Sequence, residues 1–297
     1  MIRVVIDSAT DINQQIIDLY GDKFDFIPLS VIMDGKSYTD RVDVTLQEVH
    51  NYMKDGNMPK TSQISPQAAI DKFTEIAEAG DDAIYISLSS ALSGTYQVGM
   101  NALREVQEEY PDFKGAIIDS KSAAGLLTIL YVQAQELIKA DVPFDEIVEL
   151  LNKQAEHGVT FLCVDDLNWL AKGGRLPKAI GTIGSMLKVK PFLSLDDNGE
   201  IIKEALVRGK DRVYTKMIEK SIDLLQQTSE QIVVVSHVGR VEIAEKIKAS
   251  IKEAVNATIL ITEISPVTAA HIGIGGAGVF FLNHVPNEYR IPNALKH

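Results

Sequence analysis

Apolar residues gather along the chain into short β-branched runs that end in small hydroxyl or acidic residues and lead into stretches of helical pattern. Arg3–Ile6 runs into Asp7-Ser8-Ala9-Thr10-Asp11 and then a helical pattern over Ile12–Tyr20. Ala83–Ser87 leads through Leu88–Gly94 to Thr95–Tyr110, and Gly115–Ile118 leads through Asp119-Ser120-Lys121-Ser122 to Ala123–Lys139. Between them, Thr61-Ser62-Gln63-Ile64 precedes Ser65-Pro66, an N-cap followed by a first-turn proline that opens a helix over Gln67–Ala79. Continuous apolar strands alternating with helices predict a parallel sheet covered on both faces.

The second half has a different pattern. A helix over Phe144–Glu156 stops at Gly158, and a strand over Val159–Val164 follows. Val189–Leu195 and Ile201–Arg208 flank Asp196-Asp197-Asn198-Gly199, and Asn-Gly between two apolar runs predicts a hairpin. Helices over Arg212–Leu225 and Val241–Ala254 alternate with strands over Ile232–Ser236 and Thr258–Thr262. Ser265-Pro266 opens a short helix up to His271, and a strand over Val279–Asn283 comes last. A hairpin among alternating strands and helices predicts a mixed sheet. The expected fold class is α/β, with a parallel-sheet domain over 1–157 and a mixed-sheet domain over 158–297.

Composition narrows the function. The 297 residues are 45% hydrophobic and 24% charged, which is ordinary globular composition. Twenty-nine Lys+Arg against 41 Asp+Glu give a net charge of −12, which argues against a nucleic-acid binder or electrostatic docking to an anionic membrane. The single cysteine, Cys163, excludes an internal disulfide and any multi-cysteine metal site, and fits a reducing cytoplasm. No apolar run reaches the ~18 residues that a membrane span needs. The apolar N-terminal run Met1–Ile6 is too short for a signal-peptide core and is expected to be a buried first strand.

The informative loop is Leu88-Ser89-Ser90-Ala91-Leu92-Ser93-Gly94-Thr95. It joins a strand to a helix at the strand's carboxyl end, where open α/β sheets place ligands. Ser93 falls near the helix start, either as a cap or beside the free amides of Gly94 and Thr95, an anion cradle without formal charge. Thr61-Ser62 is a second hydroxyl pair, expected to converge with Ser93 if strand order sets their loops side by side. His271 adds an imidazole next to glycines; Lys172-Gly173-Gly174-Arg175 and Arg208 add cations suited to a carboxylate or phosphate. Gly273-x-Gly275-x-x-Gly278 has the spacing of a dinucleotide fingerprint, but a helix precedes it and a strand follows, the reverse of what that motif needs. Close backbone packing is the expectation there. There is no Cys/His metal set, no Walker motif and no Gly-x-Ser-x-Gly elbow, and His157, His237 and His284 have no partner at ligand spacing. A serine esterase, with Ser93 as nucleophile, His271 as base and Asp7 as orienter, remains a compatible alternative.

Several segments in order resemble the DegV family, which includes the fatty-acid-binding subunits of bacterial fatty acid kinase. They are Val5–Asp11, Thr61–Pro66, Ser89–Gln97, Ile118–Ser122, Leu170–Arg175, Lys190-Pro191 and His271–Gly273. The resemblance implies a DegV-like two-domain fold with a ligand tunnel between the domains, holding one long-chain fatty acid. It implies that Thr61, Ser93, the Gly94 amide and His271 surround the carboxylate. It also implies that Arg208, here in the context Val-Arg-Gly-Lys rather than Arg-Thr, and Arg175 face the phosphate or the partner. On this reading the protein is a cytoplasmic lipid carrier rather than an enzyme. It takes no metal or other cofactor, meets a separate kinase subunit and possible acyltransferase, and touches the membrane only transiently.

Overall fold

Alternating burial along β1 (Ile2–Asp7) shows how the first sheet is built. Val4 and Ile6 point to one face and Val5 to the other, the period of two expected of a strand covered on both sides. The computed structural model describes residues 1–176 and 189–296. In it, β1 pairs in parallel with β2 (Asp25–Ile27) and with β6 (Asp82–Ser87), and β6 with β7 (Gly115–Asp119), giving the order β2-β1-β6-β7. Val5, Ala83 and Tyr85 pack with the buried faces of α3 (Pro66–Glu78) and α4 (Thr95–Glu109). Val4, Ile6, Ile84 and Ile86 pack on α5 (Gly125–Lys139), which α6 (Phe144–Glu156) flanks. This is the doubly covered parallel sheet that the strand–helix alternation predicts.

The second sheet has six strands in the order β10-β9-β8-β13-β11-β12. They are β8 (Gly158–Cys163), β9 (Val189–Leu195), β10 (Ile201–Arg208), β11 (Ile232–His237), β12 (Thr258–Glu263) and β13 (Ala277–Leu282). Only β11 and β12 pair in parallel; the other neighbours are antiparallel, so the sheet is mixed, as expected. The predicted β9–β10 hairpin forms, but around a longer turn than Asn-Gly alone implies. Asp196 organises it, its carboxylate accepting from the amides of Asn198 and Glu200, while Gly199 takes φ +80°. One face of this sheet carries α8 (Lys210–Leu225) and α9 (Val241–Ala254).

The other face meets α5, and this joins the halves. Eleven of the fifteen α5 residues are buried, so the helix has no solvent face of the usual width. It lies against β1 and β6 on one side and β11 and β13 on the other. Ile84 and Ile86 thus share one apolar cluster with Val234, Leu260 and Phe280.

A small third sheet lies outside the expected plan. β3 (Ser30–Met33) and β4 (Lys36–Thr39) form a hairpin across Asp34 and Gly35, and β5 (Lys60–Ser62) pairs with β3 on its other edge. Both turn residues have positive φ, 51° and 78°, the requirement of a type I′ turn that Asp-Gly satisfies. A further helix, α2 (Leu46–Lys54), starts with a capping box between Thr45 and Glu48. Thr61 is therefore on a strand of this small sheet, not in a loop at the edge of the parallel sheet.

A Cβ on Gly125 would stand 2.6 Å from both Phe280 Cδ2 and Val234 Cγ1. Gly125→Ala is expected to lower stability by about 1–3 kcal/mol, the usual cost of overpacking, read as a shift in the urea midpoint at unchanged slope. An unshifted midpoint would show that α5 is not clamped between the sheets there.

Candidate functional site

The space between the two large sheets is filled by α5 as far as its first turn. Beyond Ala123 and Ala124 the described residues line a cavity. It has about 790 Å³ free of atoms, its mouth included, of which about 100 Å³ admits the centre of a water molecule. Its wall toward α5 is formed by Ala123, Ala124, Thr160, Leu162 and Phe280, and further along by Leu88, Leu92, Leu170, Leu195, Ile201 and Ile272. Thr160 is the polar exception in this apolar stretch, and its hydroxyl is 2.7 Å from the Ser122 hydroxyl.

The polar lining collects at the other end. Thr61 on β5 and His271 on α10 (Pro266–Ile272) meet across the halves, Thr61 Oγ1 lying 2.7 Å from His271 Nε2. Ser93 lines the same cavity, with Arg175, Gln63 and Thr268. Ser93 Oγ accepts from the Thr95 amide at 3.2 Å and lies 2.9 Å from the Thr95 hydroxyl, while Gly94 takes the N-cap position of α4. The side-chain oxygen of Gln63 packs against Gly94, 2.0 Å from where a Cβ there would fall, so a larger residue at 94 would have to displace the Gln63 amide. Ser90, Ser93, Gly94, Gly174, Arg175 and Glu200 then line a wider polar vestibule, which shares Leu92, Ser93, Arg175 and Ile201 with the cavity.

Arg175 is the one formal charge lining the cavity among the described residues, beside uncharged donors. Burial, and secondarily the charge of Arg175, push the His271 pKa down to about 4, so the ring is uncharged at neutral pH. Its Nδ1 has no hydrogen-bond partner among the described residues and faces Gly173, where a Cβ would stand 2.3 Å from it. An unpaired N–H costs more to bury than an unpaired lone pair on this ring, which assigns the proton to Nε2. Nε2–H then donates to Thr61 Oγ1 and leaves the Thr61 hydroxyl proton free to donate into the cavity. Arg175 donates from Nε to the Leu92 carbonyl at 3.0 Å and from Nη1 to the Gly173 carbonyl at 2.6 Å. These bonds hold its charge at the junction of cavity and vestibule.

Of the residues singled out in the sequence, Thr61, Ser93, His271 and Arg175 thus meet at one cavity, and Gly94 lines its vestibule. Arg208 lies exposed at the end of β10 and lines neither. The esterase arrangement is not assembled: His271 Nε2 faces Thr61, and no hydrogen bond joins it to Ser93 or Asp7 among the described residues. Asp7 is occupied elsewhere, accepting from the amides of Ala9 and Leu88 and from the Tyr85 hydroxyl. The glycine cluster serves close packing, as expected: Cβ atoms at Gly273 and Gly275 would meet Trp169 and Asp165 at 2.3 and 2.5 Å. Gln63 and Thr160 are cavity residues that the sequence reading passed over. Gln63 lies inside a quoted segment, whereas nothing in the pattern around Thr160 separates it from other core strand positions. No metal-binding cluster of His, Cys, Asp or Glu occurs among the described residues, and no described helix is long and apolar enough to cross a membrane.

Residues 1–284 match the family model described as "Uncharacterised protein, DegV family". A DegV domain-containing protein of Clostridium perfringens is 31% identical over 283 residues, covering 94% of this chain and 96% of its own length. Among solved structures, a stearic acid-binding protein from Eubacterium ventriosum matches with a TM-score of 0.84 and 25% identity, covering 94% of this chain and 97% of that one. A DegV family protein from Ruminococcus gnavus, refined with vaccenic acid, matches in fold with a TM-score of 0.85 at 23% identity, over 94% of this chain and 99% of its own.

A neutral His271 at the head of the cavity has a signed consequence for pH. Its folded-state pKa is depressed below the unfolded value of ~6.5, so its contribution to stability is present above that value and is lost as pH falls toward about 4. In ligand-free protein, the His271 imidazole resonances in ¹⁵N-correlated NMR are expected to stay at their neutral positions from pH 8 down to 5. A titration midpoint at 6.5 or higher would contradict the buried, neutral ring.

Proposed function

The chain belongs to the DegV family, and from that premise we propose that its cavity holds one long-chain fatty acid, with the carboxylate at Thr61, Ser93, the Gly94 amide and His271. The observation that carries this reading is the cavity's shape and polarity. It is apolar toward α5, ends in the uncharged donors Thr61, Ser93 and His271 with Arg175 beside them, and opens into a polar vestibule. The fatty acids named with the Eubacterium ventriosum and Ruminococcus gnavus proteins support it.

The physics favours a tail-driven ligand. Fifteen or so methylenes at ~0.8 kcal/mol each offer roughly 12 kcal/mol gross, before ordering costs. The head group then needs orientation more than attraction. Hydroxyls, an amide and a neutral imidazole provide that, and they tolerate addition of a phosphoryl group without stranding a buried counter-charge. Arg175, at the junction with the vestibule, supplies the local positive charge that a net charge of −12 does not.

In the full reading the protein is a cytoplasmic carrier, with its two domains spanning 1–157 and 158–297. It presents the carboxylate through the vestibule to a separate fatty acid kinase subunit and carries the acyl-phosphate onward to phospholipid synthesis. Arg208, exposed and clear of the cavity, suits contact with that partner rather than with the acid.

Calorimetry on delipidated protein with a long-chain acid tests this directly. Binding at one site per chain is expected, weakened by about 1–3 kcal/mol in Thr61→Ala or Ser93→Ala but not abolished. No uptake of any long-chain acid, or unchanged binding and phosphorylation in both variants, would overturn the assignment. Arg208→Ala is expected to slow phosphorylation by the kinase while leaving acid binding intact; equal loss of both would place Arg208 at the ligand.

A further inference from the structure

His271 sits on a short helix whose start is not capped by its own side chain. α10 has seven residues, and the side chain of its N-cap residue, Ser265, makes no capping bond. The Ser265 hydroxyl is turned to Thr268 Oγ1 at 3.1 Å. The Ser265 amide donates instead to Asp11 Oδ1 at 3.0 Å, and the Thr262 hydroxyl, from the end of β12, donates to Asp11 Oδ2 at 3.3 Å. Asp11 belongs to the other half of the molecule, in the loop after β1, and is fully buried.

Asp11 is itself firmly seated. The Thr128 hydroxyl of α5 donates to the Asp11 carbonyl at 2.6 Å, and two residues on, Asn13 Nδ2 donates to the Ile261 carbonyl at 2.8 Å. A second acid, Asp40, is also buried. A negative group at a helix start also complements the helix dipole. Asp11, Thr262 and Ser265 do not line the cavity, whereas Val267, Thr268, His271 and Ile272 of the same helix do. The distance from Ser265 to His271 along the helix axis is about 9 Å at 1.5 Å per residue, too short for a flexible joint to absorb a shift at the start.

We infer that Asp11 is a positioning residue for the head-group end of the cavity: through the Ser265 amide it sets α10, and α10 carries that setting to His271 Nε2 and its contact with Thr61. The inference rests on the fatty-acid reading above. It separates recognition of the head group from the apolar grip on the tail. The seam between the halves thus decides how well a carboxylate is told from a neutral head.

The test compares delipidated wild-type protein with Asp11→Ala and Asp11→Asn, each titrated with a long-chain acid and the alcohol of equal length. A carboxylate accepts stronger hydrogen bonds than an alcohol, so a displaced His271–Thr61 pair costs the acid more. In Asp11→Ala the acid-to-alcohol affinity ratio is expected to fall about ten-fold, with alcohol affinity little changed. Asp11→Asn keeps an oxygen for the Ser265 amide and is expected to restore the ratio. A folded Asp11→Ala with the wild-type ratio, equal loss of both ligands, or an Asn variant as poor as the Ala variant would each overturn the inference. If Asp11→Ala does not fold, Asp11→Glu replaces it: its longer carboxylate displaces Ser265 and is expected to lower the ratio, and an unchanged ratio overturns the inference. Wild-type protein that takes up acid and alcohol with no preference overturns this role for Asp11, whereas wild-type protein that takes up neither overturns the fatty-acid reading itself and with it this role.

Discussion

A helix that is apolar on nearly every side has to be enclosed, and α5 is enclosed by two sheets at once. Its Gly125–Lys139 stretch separates the parallel sheet from the mixed one and donates apolar surface to both. The rest of the architecture follows from this constraint. The sheets stand apart by the width of a helix, their outer faces are left to α3, α4, α8 and α9, and the gap continues before the first turn of α5 as a cavity among the described residues. The cavity is therefore a consequence of where α5 starts. Ala124, at φ 56° with its amide bonded to the Ala9 carbonyl, fixes that starting point.

Polar contacts pin the two halves around this gap. Thr61 meets His271, Arg175 reaches the Leu92 carbonyl, Asp11 accepts from Ser265, and the Ser122 and Thr160 hydroxyls pair beside the cavity. Each is buried or partly buried, so each costs more to break than an exposed bond would. Those of Thr61, His271, Arg175 and Thr160 lie along the cavity, where the apolar core is interrupted, and the Asp11–Ser265 bond lies behind it. Hydrogen bonds across the seam hold in register what packing alone leaves open.

Much of the frame was legible in the sequence because it rests on short-range signals. The apolar runs at Arg3–Ile6 and Ala83–Ser87 and the Ser65-Pro66 helix start carry their physics within a few residues. So did the reversed order around Gly273, which excluded a dinucleotide loop. The Asp34-Gly35 hairpin and the Thr45–Glu48 capping box carry signals just as local, yet they lie in a stretch of few apolar residues where no strand–helix alternation frames them. Thr61 and Ser93 line one cavity, but not through parallel-sheet order, since β5 pairs with β3 and no local feature of Thr61–Ile64 specifies that edge. The Asp11–Ser265 bond spans 254 residues and has no local signature at all. The link between Thr61 and His271 is likewise a product of the assembled seam.

The central claim is that the gap left by α5 is a binding site for a single acyl chain with an uncharged head-group cradle. Native mass spectrometry of the purified protein, followed by denaturing extraction, addresses it most directly. The account predicts an adduct of one fatty acid per chain, released intact on denaturation and identifiable by its mass. A chain that shows only its own mass, and still does so after incubation with mixed long-chain acids, would contradict it.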